Sequence, residues 1–103
     1  MSYTVLCHNE VNIIGRIYRV GAVCRVNNQP AVKVCIALPN DTDYNLKPNM
    51  AYVYFMINNN KILRRLIGQA VGINGHIECN YGQRIIVNVM SIIKEKDNLK
   101  TIR

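Results

Sequence analysis

The sequence has 103 residues, half of them hydrophobic, which suits one domain with a single core and excludes a disordered tail. No apolar run approaches the roughly 18 to 20 residues of a membrane span, and the first residues lack the segments of a secretory signal. Thirteen Lys and Arg against six Asp and Glu give a net charge of +7, which favours polyanions, chiefly nucleic acid. We expect a soluble, cytoplasmic protein with no membrane partner, although an anionic surface or simple solubility could also use the charge.

The first strand signal spans residues 11–20 and can be extended to 26. Strict alternation puts one set of residues on its core face: Val11, Ile13, Gly15 and Ile17. Arg16 and Tyr18 then lie on the opposite face. A glycine inside a strand marks a bulge or a sharp bend, as barrel closure needs. We therefore predict a bend at Gly15.

A turn is predicted at residues 27–30, where two asparagines precede glutamine and proline. The second strand follows over residues 32–38, with Lys33 on its outward face. The stretch 39–49 is polar and contains Tyr44, and it is predicted to be the longest loop.

The third strand is predicted over residues 51–57, where two sets of side chains alternate cleanly. The inward set is Val53, Phe55 and Ile57. Tyr52 and Tyr54 face the other way, beside the face that carries Lys33.

A short helix is predicted over residues 61–67, with an asparagine of 58–60 as its N-cap and Gly68 at its end. Its apolar side is formed by Ile62, Leu63, Leu66 and Ile67. Arg64 and Arg65 lie on the polar side, where we expect solvated charges.

Two more strands are predicted, over residues 70–79 and 84–94. The residues between them form a tight hairpin turn with Tyr81 near its tip and Arg84 beside it. The core phase of the fourth strand is Val71, Ile73 and Ile77. We expect one domain over residues 1–96 and a short basic tail at 97–103.

The predicted order is three strands, one short helix and two strands. An antiparallel set with one helix in that position is the arrangement of the OB-fold, a five-stranded β-barrel. The same elements could also pack as an open α+β sheet. The glycines within the strands favour the barrel, so we predict an all-β OB-fold with its helix between strands 3 and 4.

The reactive residue types form no catalytic or metal-binding pattern. The cysteines lie far apart, at Cys7, Cys24, Cys35 and Cys79. None has zinc or redox spacing, so we expect buried, reduced thiols. His8 and His76 lack partners at ligand spacing, and no nucleophile triad or nucleotide-binding loop is present. The sequence predicts no metal, no cofactor and no enzymatic activity.

Four segments together resemble the bacterial-type single-stranded DNA-binding proteins. They are residues 9–17 (NEVNIIGRI), the second strand, residues 68–77 (GQAVGINGHI) and the last strand. The resemblance covers residues 9–96 in the family's order and spacing. Departures from the family are the missing tryptophan, a short last hairpin and the missing acidic tail. They favour a short member, such as a phage, plasmid or primosomal relative.

The resemblance implies bases stacked on strand aromatics and phosphates held by Lys and Arg. In the family, the main stacking residue is at the start of the third strand, which is Tyr52 here. The complete set of candidate contacts is Tyr52, Tyr54, Arg16, Lys33, Arg84, Tyr18, Tyr44 and Tyr81. The resemblance also implies a homo-oligomer, a dimer or tetramer to which the first strand contributes, and replication or recombination proteins as partners.

We therefore predict sequence-tolerant binding of single-stranded DNA, accessory to replication, recombination or repair. RNA stays an alternative ligand because a stacking face tolerates either sugar. A different interpretation is an OB-type assembly adaptor, primosome-like, whose main partner is a protein and which binds nucleic acid weakly.

Overall fold

Strands alternate with turns along most of the chain, and one short helix interrupts them. The structure, a computed structural model, describes residues 9–39, 49–79 and 82–94. Its elements are β1 (Val11–Val26), β2 (Gln29–Ala37), β3 (Met50–Phe55), α1 (Lys61–Arg65), β4 (Ala70–Glu78) and β5 (Arg84–Ile92). Among these elements, no helix has the length and apolar character needed to span a bilayer. Tyr44, Tyr81 and the predicted tail at 97–103 lie outside the described residues.

The strands close into a barrel in the order β1-β2-β3-β5-β4. The predicted barrel, with its helix between the third and fourth strands, is confirmed. One pairing differs from the expected antiparallel set, because β3 and β5 run parallel where Val53 pairs with Ile85 and Tyr54 with Ile86. The chain between these strands carries α1 and β4, so it returns to the sheet in the same direction. A parallel neighbour requires such a crossover connection, whereas a tight hairpin can only produce an antiparallel one.

The barrel interior is filled by aliphatic side chains from all five strands and closed by one residue of α1. The fully buried positions with the largest side chains are Ile17, Ile36, Val32, Val34, Val53 and Val71. Leu63 of α1 packs into the same core. These positions follow the alternation of each strand, because a period of two sends every second side chain inward.

The first hairpin turns on two asparagines. Val26 pairs with Gln29, so Asn27 and Asn28 alone form the turn, with φ values of 52° and 64°. This is the two-residue, left-handed turn whose twist matches that of the flanking strands, and asparagine tolerates it better than most residues. The turn predicted at 27–30 is thus shorter than expected, and β2 begins earlier.

Gly15 has a different role from the predicted bend. Its neighbours pair regularly with β4, and the irregularities of β1 come later, between Ile17 and Arg19 and between Val20 and Val23. A Cβ atom at Gly15 would lie 2.5 Å from the Ala37 carbonyl oxygen. The glycine is therefore required by the close approach of two backbones, which is the other common reason for a glycine within a strand.

The helix is shorter than predicted and covers the barrel only in part. It ends at Arg65, and the bonds from Leu66 N–H to the Leu63 carbonyl and from Ile67 N–H to the Arg64 carbonyl tighten the chain after it. As a result Ile67 is 51% exposed, contrary to the predicted apolar side. Ile62, which was assigned to the same side, is also exposed. Gly68, with φ of 90°, follows the helix as expected.

Asn60 occupies the N-cap position without making a side-chain cap. Its side-chain amide donates instead to the Gly21 carbonyl of β1 over 2.9 Å, and the Asn59 side chain accepts from the Lys61 N–H. The predicted asparagine signal is therefore used partly to fasten the start of α1 to β1.

Other predictions of burial are wrong at the ends of elements. Ile57 lies beyond the end of β3, and Ile77 lies beyond the last β1–β4 pair, so both are exposed. Among the cysteines, Cys35 is buried but Cys24 and Cys79 are exposed. Alternation identifies the face of a strand, but it does not show where the neighbouring strand stops covering that face.

Candidate nucleic-acid interface

Two adjoining depressions on the outside of the barrel share Lys33 and Tyr52. The first is lined by Arg19, Gly21, Lys33, Cys35 and Tyr52. The second is lined by Lys33, Tyr52, Tyr54, Ile77, Gln83, Arg84 and Ile85. Together these residues form a continuous surface from β1 to the start of β5, which we call the tyrosine groove.

The register of β2 against β3 builds the centre of this groove. Tyr52 pairs with Cys35, and Tyr54 pairs with Lys33. All four side chains project outward because their neighbours Val34 and Val53 are buried inside the barrel. The predicted meeting of Lys33, Tyr52 and Tyr54 on one face therefore occurs in the structure.

Each groove tyrosine has a cation beside its ring. The Lys33 ammonium nitrogen lies 4.7 Å from the centre of the Tyr52 ring. The guanidinium carbon of Arg84 lies 5.8 Å from the centre of the Tyr54 ring. Both distances are within the range in which a cation is attracted to an aromatic face. Arg84 thus joins the two tyrosines and Lys33, as predicted.

The two tyrosines differ in how firmly they are held. Tyr52 is 53% exposed, whereas Tyr54 is only half-buried because it packs on a second apolar cluster outside the main core. That cluster consists of Val26, Ala31 and Ile86, with Tyr54 and Met56 packed against it. Tyr52 is the open aromatic surface of the groove, and Tyr54 is a fixed wall beside it.

Arg19 enters the groove although strict alternation would place it inside. Ile17 pairs with Ile36 and Arg19 with Cys35, so Tyr18 is an extra residue at a β-bulge. The bulge turns both Tyr18 and Arg19 outward, and Arg19 lines the first depression. A charged residue in the inward phase of a strand was the sequence signal that could have indicated this bulge.

The remaining predicted contacts are divided between other surroundings. Tyr18 is 53% exposed and lies beside Arg19, whose guanidinium carbon is 5.8 Å from the ring centre. Arg16 is exposed on β1, but its guanidinium donates to the Gly68 carbonyl over 2.9 Å, behind the helix. It lines neither depression of the groove.

Carboxylates are kept away from the groove surface. In residues 9–39, 49–79 and 82–94 they belong to Glu10 and Glu78, and neither lines the groove. Glu78 pairs with Arg84 in the β4–β5 ladder, but its carboxylate accepts from His76 Nε2 at 2.9 Å and from the Asn27 amide at 3.1 Å. No trio of His, Cys, Asp or Glu side chains within those ranges could hold a metal ion.

The hydrogen bond with Glu78 raises the pKa of His76 above its usual value of 6.5, and burial opposes the rise. Asn88 contributes in the same direction, because its side-chain oxygen lies 2.9 Å from His76 Nδ1. Protonated His76 therefore compensates the Glu78 charge next to the strand that carries Arg84.

Comparison with known proteins places this barrel among solved structures. No protein-family profile matches the sequence, and no curated protein matches it. The mitochondrial single-stranded DNA binding protein Rim1 from S. cerevisiae is 17% identical over 86% of this chain and 97% of its own, with a TM-score of 0.60. The chain has an OB-fold. The prediction from strand order is thereby confirmed.

Two bacterial structures show the same likeness. The protein priB from Ralstonia solanacearum is 7% identical over 85% of this chain and all 100% of its own, with a TM-score of 0.61. The second single-stranded DNA binding protein, SSBb, from Mycobacterium smegmatis is 15% identical over 82% of this chain and 87% of its own, with a TM-score of 0.53. At these identities the likeness establishes the shared fold.

Proposed function

We propose that this chain binds single-stranded DNA without reading its sequence, in an accessory role in replication, recombination or repair. The observation that carries the proposal is the tyrosine groove, in which an exposed ring, a fixed ring and three cations share one surface. Every base has a flat face that can stack on an aromatic ring, so such a surface binds single strands of any sequence. The Rim1 and SSBb structures, which share the fold, are named as single-stranded DNA binding proteins.

The three groove cations are Arg19, Lys33 and Arg84, and they stand along the outer face from β1 to β5. We assign them to phosphates and assign stacking first to Tyr52, whose ring is the more exposed. Each phosphate contact on a single strand changes the slope of log K against log salt by about −0.7. Three contacts per protomer therefore correspond to a slope of about −2.

The test is a binding titration with a labelled dT oligomer, an RNA of the same length and a duplex of the same nucleotide count. We expect the dT oligomer to bind well above the duplex, with affinity falling as salt rises. Equal affinity for duplex would refute the proposal. Preference for RNA would change the ligand but keep the groove, and weak binding of all three would favour the protein-interaction adaptor.

A matched pair of arginine variants connects the titration to the groove. Arg84→Ala should weaken binding and reduce the salt slope by about 0.7. Arg64→Ala removes an equally charged side chain from the exposed side of α1, away from the groove lining, and should leave both quantities unchanged. Equal effects of the two substitutions would mean that net charge, and not the groove, holds the strand.

We also propose that the chain is a homo-oligomer through the outer face of β1, β4 and β5. Ile14 is 64% exposed and Val89 63%, and both line a shallow depression with Gly72 and Ser91. Exposed aliphatic side chains of this size around a glycine are typical of subunit contacts. Light scattering should give the mass of a dimer or tetramer, and Ile14→Asp should reduce it to that of one chain. A wild-type protein of single-chain mass at all concentrations would refute this.

A further inference from the structure

Lys33 covers a surface that a stacked base would need. Its ammonium nitrogen lies 4.7 Å from the centre of the Tyr52 ring, which is also the range in which the centres of two stacked rings lie. A base and the ammonium group cannot both occupy that face of the ring. Lys33 and Tyr52 also stand at the junction of the two depressions, so a strand that follows the whole groove must pass them.

We propose that Lys33 and Tyr52 form an exchange pair that makes binding conditional on an unstacked base. The inference rests on the proposed function. When a single strand enters, a base replaces the ammonium group on the Tyr52 ring, and Lys33 becomes available to a phosphate of the same strand. Lys33 is then a specificity-determining residue, beyond its contribution as one positive charge.

The reason is that the two halves of the exchange are coupled only for a ligand that offers both groups. A single strand supplies a base to the ring and a phosphate to the lysine, so the cation–ring attraction that is lost is replaced. A duplex supplies phosphates while its bases stay stacked. It can recruit Lys33 only by leaving the Tyr52 ring uncovered, which weakens its binding relative to a free lysine.

The neighbouring pair does not share this property to the same degree. Arg84 lies farther from its ring, at 5.8 Å, and the ring of Tyr54 is held against the outer cluster of Val26, Ala31 and Ile86. Tyr54 is therefore less accessible to a base, and release of Arg84 exposes less aromatic surface. The exchange is a property of the more exposed tyrosine.

Tyr52→Ala tests the pair because it should change the two affinities in opposite directions. With a labelled dT oligomer, we expect a loss of about 5- to 150-fold, the contribution of one stacked base. With a duplex of the same nucleotide count at low salt, we expect a gain of about two- to fivefold, because Lys33 no longer leaves a ring to reach a phosphate. Tyr52→Phe keeps the ring and should match the wild type with both ligands.

A double-mutant cycle assigns the duplex gain to Lys33. In a Lys33→Ala background, Tyr52→Ala should no longer raise the affinity for duplex. The inference is overturned if Tyr52→Ala lowers both affinities or leaves duplex binding unchanged, or if the gain persists without Lys33. Those results leave the proposed function intact as long as the wild type prefers the single strand, whereas a wild type without that preference refutes the function itself. Melting curves of each variant exclude unfolding as the cause.

Discussion

Replacing Gly15 with alanine should destabilise the barrel because the new methyl group has no space. The added Cβ would lie 2.5 Å from the Ala37 carbonyl oxygen and 2.7 Å from the Cγ2 atom of Ile36. Ordinary contacts of a Cβ atom begin near 3.4 Å, so one backbone must move by almost 1 Å. The nearer atom belongs to the main chain of β2, which cannot rotate away. Overpacking of this kind costs about 1 to 3 kcal/mol.

Gly72→Ala is the matched control within the same barrel. Its Cβ would meet only the hydroxyl oxygen of Ser91, at 3.2 Å, and that side chain can rotate. Alanine in place of glycine also restricts the unfolded chain, which stabilises a protein by about 0.4 to 1 kcal/mol where the backbone permits it. We therefore expect the two variants to differ by about 2 kcal/mol, or about 10 °C in Tm.

Urea denaturation at one fixed protein concentration measures this difference, provided that the slope m is the same in both variants. A Gly15→Ala protein within about 0.5 kcal/mol of the wild type would show that the β1–β2 spacing is not the reason for the glycine. A Gly72→Ala protein as unstable as Gly15→Ala would indicate a general intolerance of side chains at both positions.

Two further predictions concern the groove and its surroundings. The pKa of His76 is raised in the folded protein, so its stabilising effect is complete below pH 6.5 and is lost as pH rises through the folded pKa. The Tm of the wild type should therefore fall over that window relative to a Glu78→Gln variant, and parallel pH profiles would contradict the assigned contact. Tyr54→Ala should cost about 1 to 3 kcal/mol by opening the outer cluster, whereas Tyr52→Ala should stay within about 0.5 kcal/mol. Urea midpoints of the two variants measure this, and equal midpoints would contradict the difference in packing.

Much of the fold was predictable because alternating side chains directly reflect the inside and outside of a barrel wall. The run from Val11 to Val26, the asparagine turn and the outward pair Tyr52 and Tyr54 all followed from that period of two. The order of elements was sufficient to indicate the OB-fold. The parallel contact of β3 with β5 was missed, since no local pattern reports which strands become neighbours after a crossover.

The candidate site was predictable only where the strands are regular. Lys33, Tyr52 and Tyr54 were correctly brought to one face, because β2 and β3 pair without interruption. Arg19 was missed because a bulge at Tyr18 reverses the phase of β1. A bulge adds one residue to one strand, and its position depends on the partner strand, which the alternation of β1 alone does not contain.

The difference between Tyr52 and Tyr54 is the feature that the sequence hid most completely. Both residues are outward tyrosines of one strand, two positions apart, and each has a cation beside its ring. Only the register brings Tyr54 next to Ile86, where the outer cluster covers part of its ring. The side chain that is held contributes to stability and shapes the groove wall, and the side chain that is exposed can exchange a lysine for a base. Two residues of the same type can therefore separate into a structural and a binding role through one parallel strand contact.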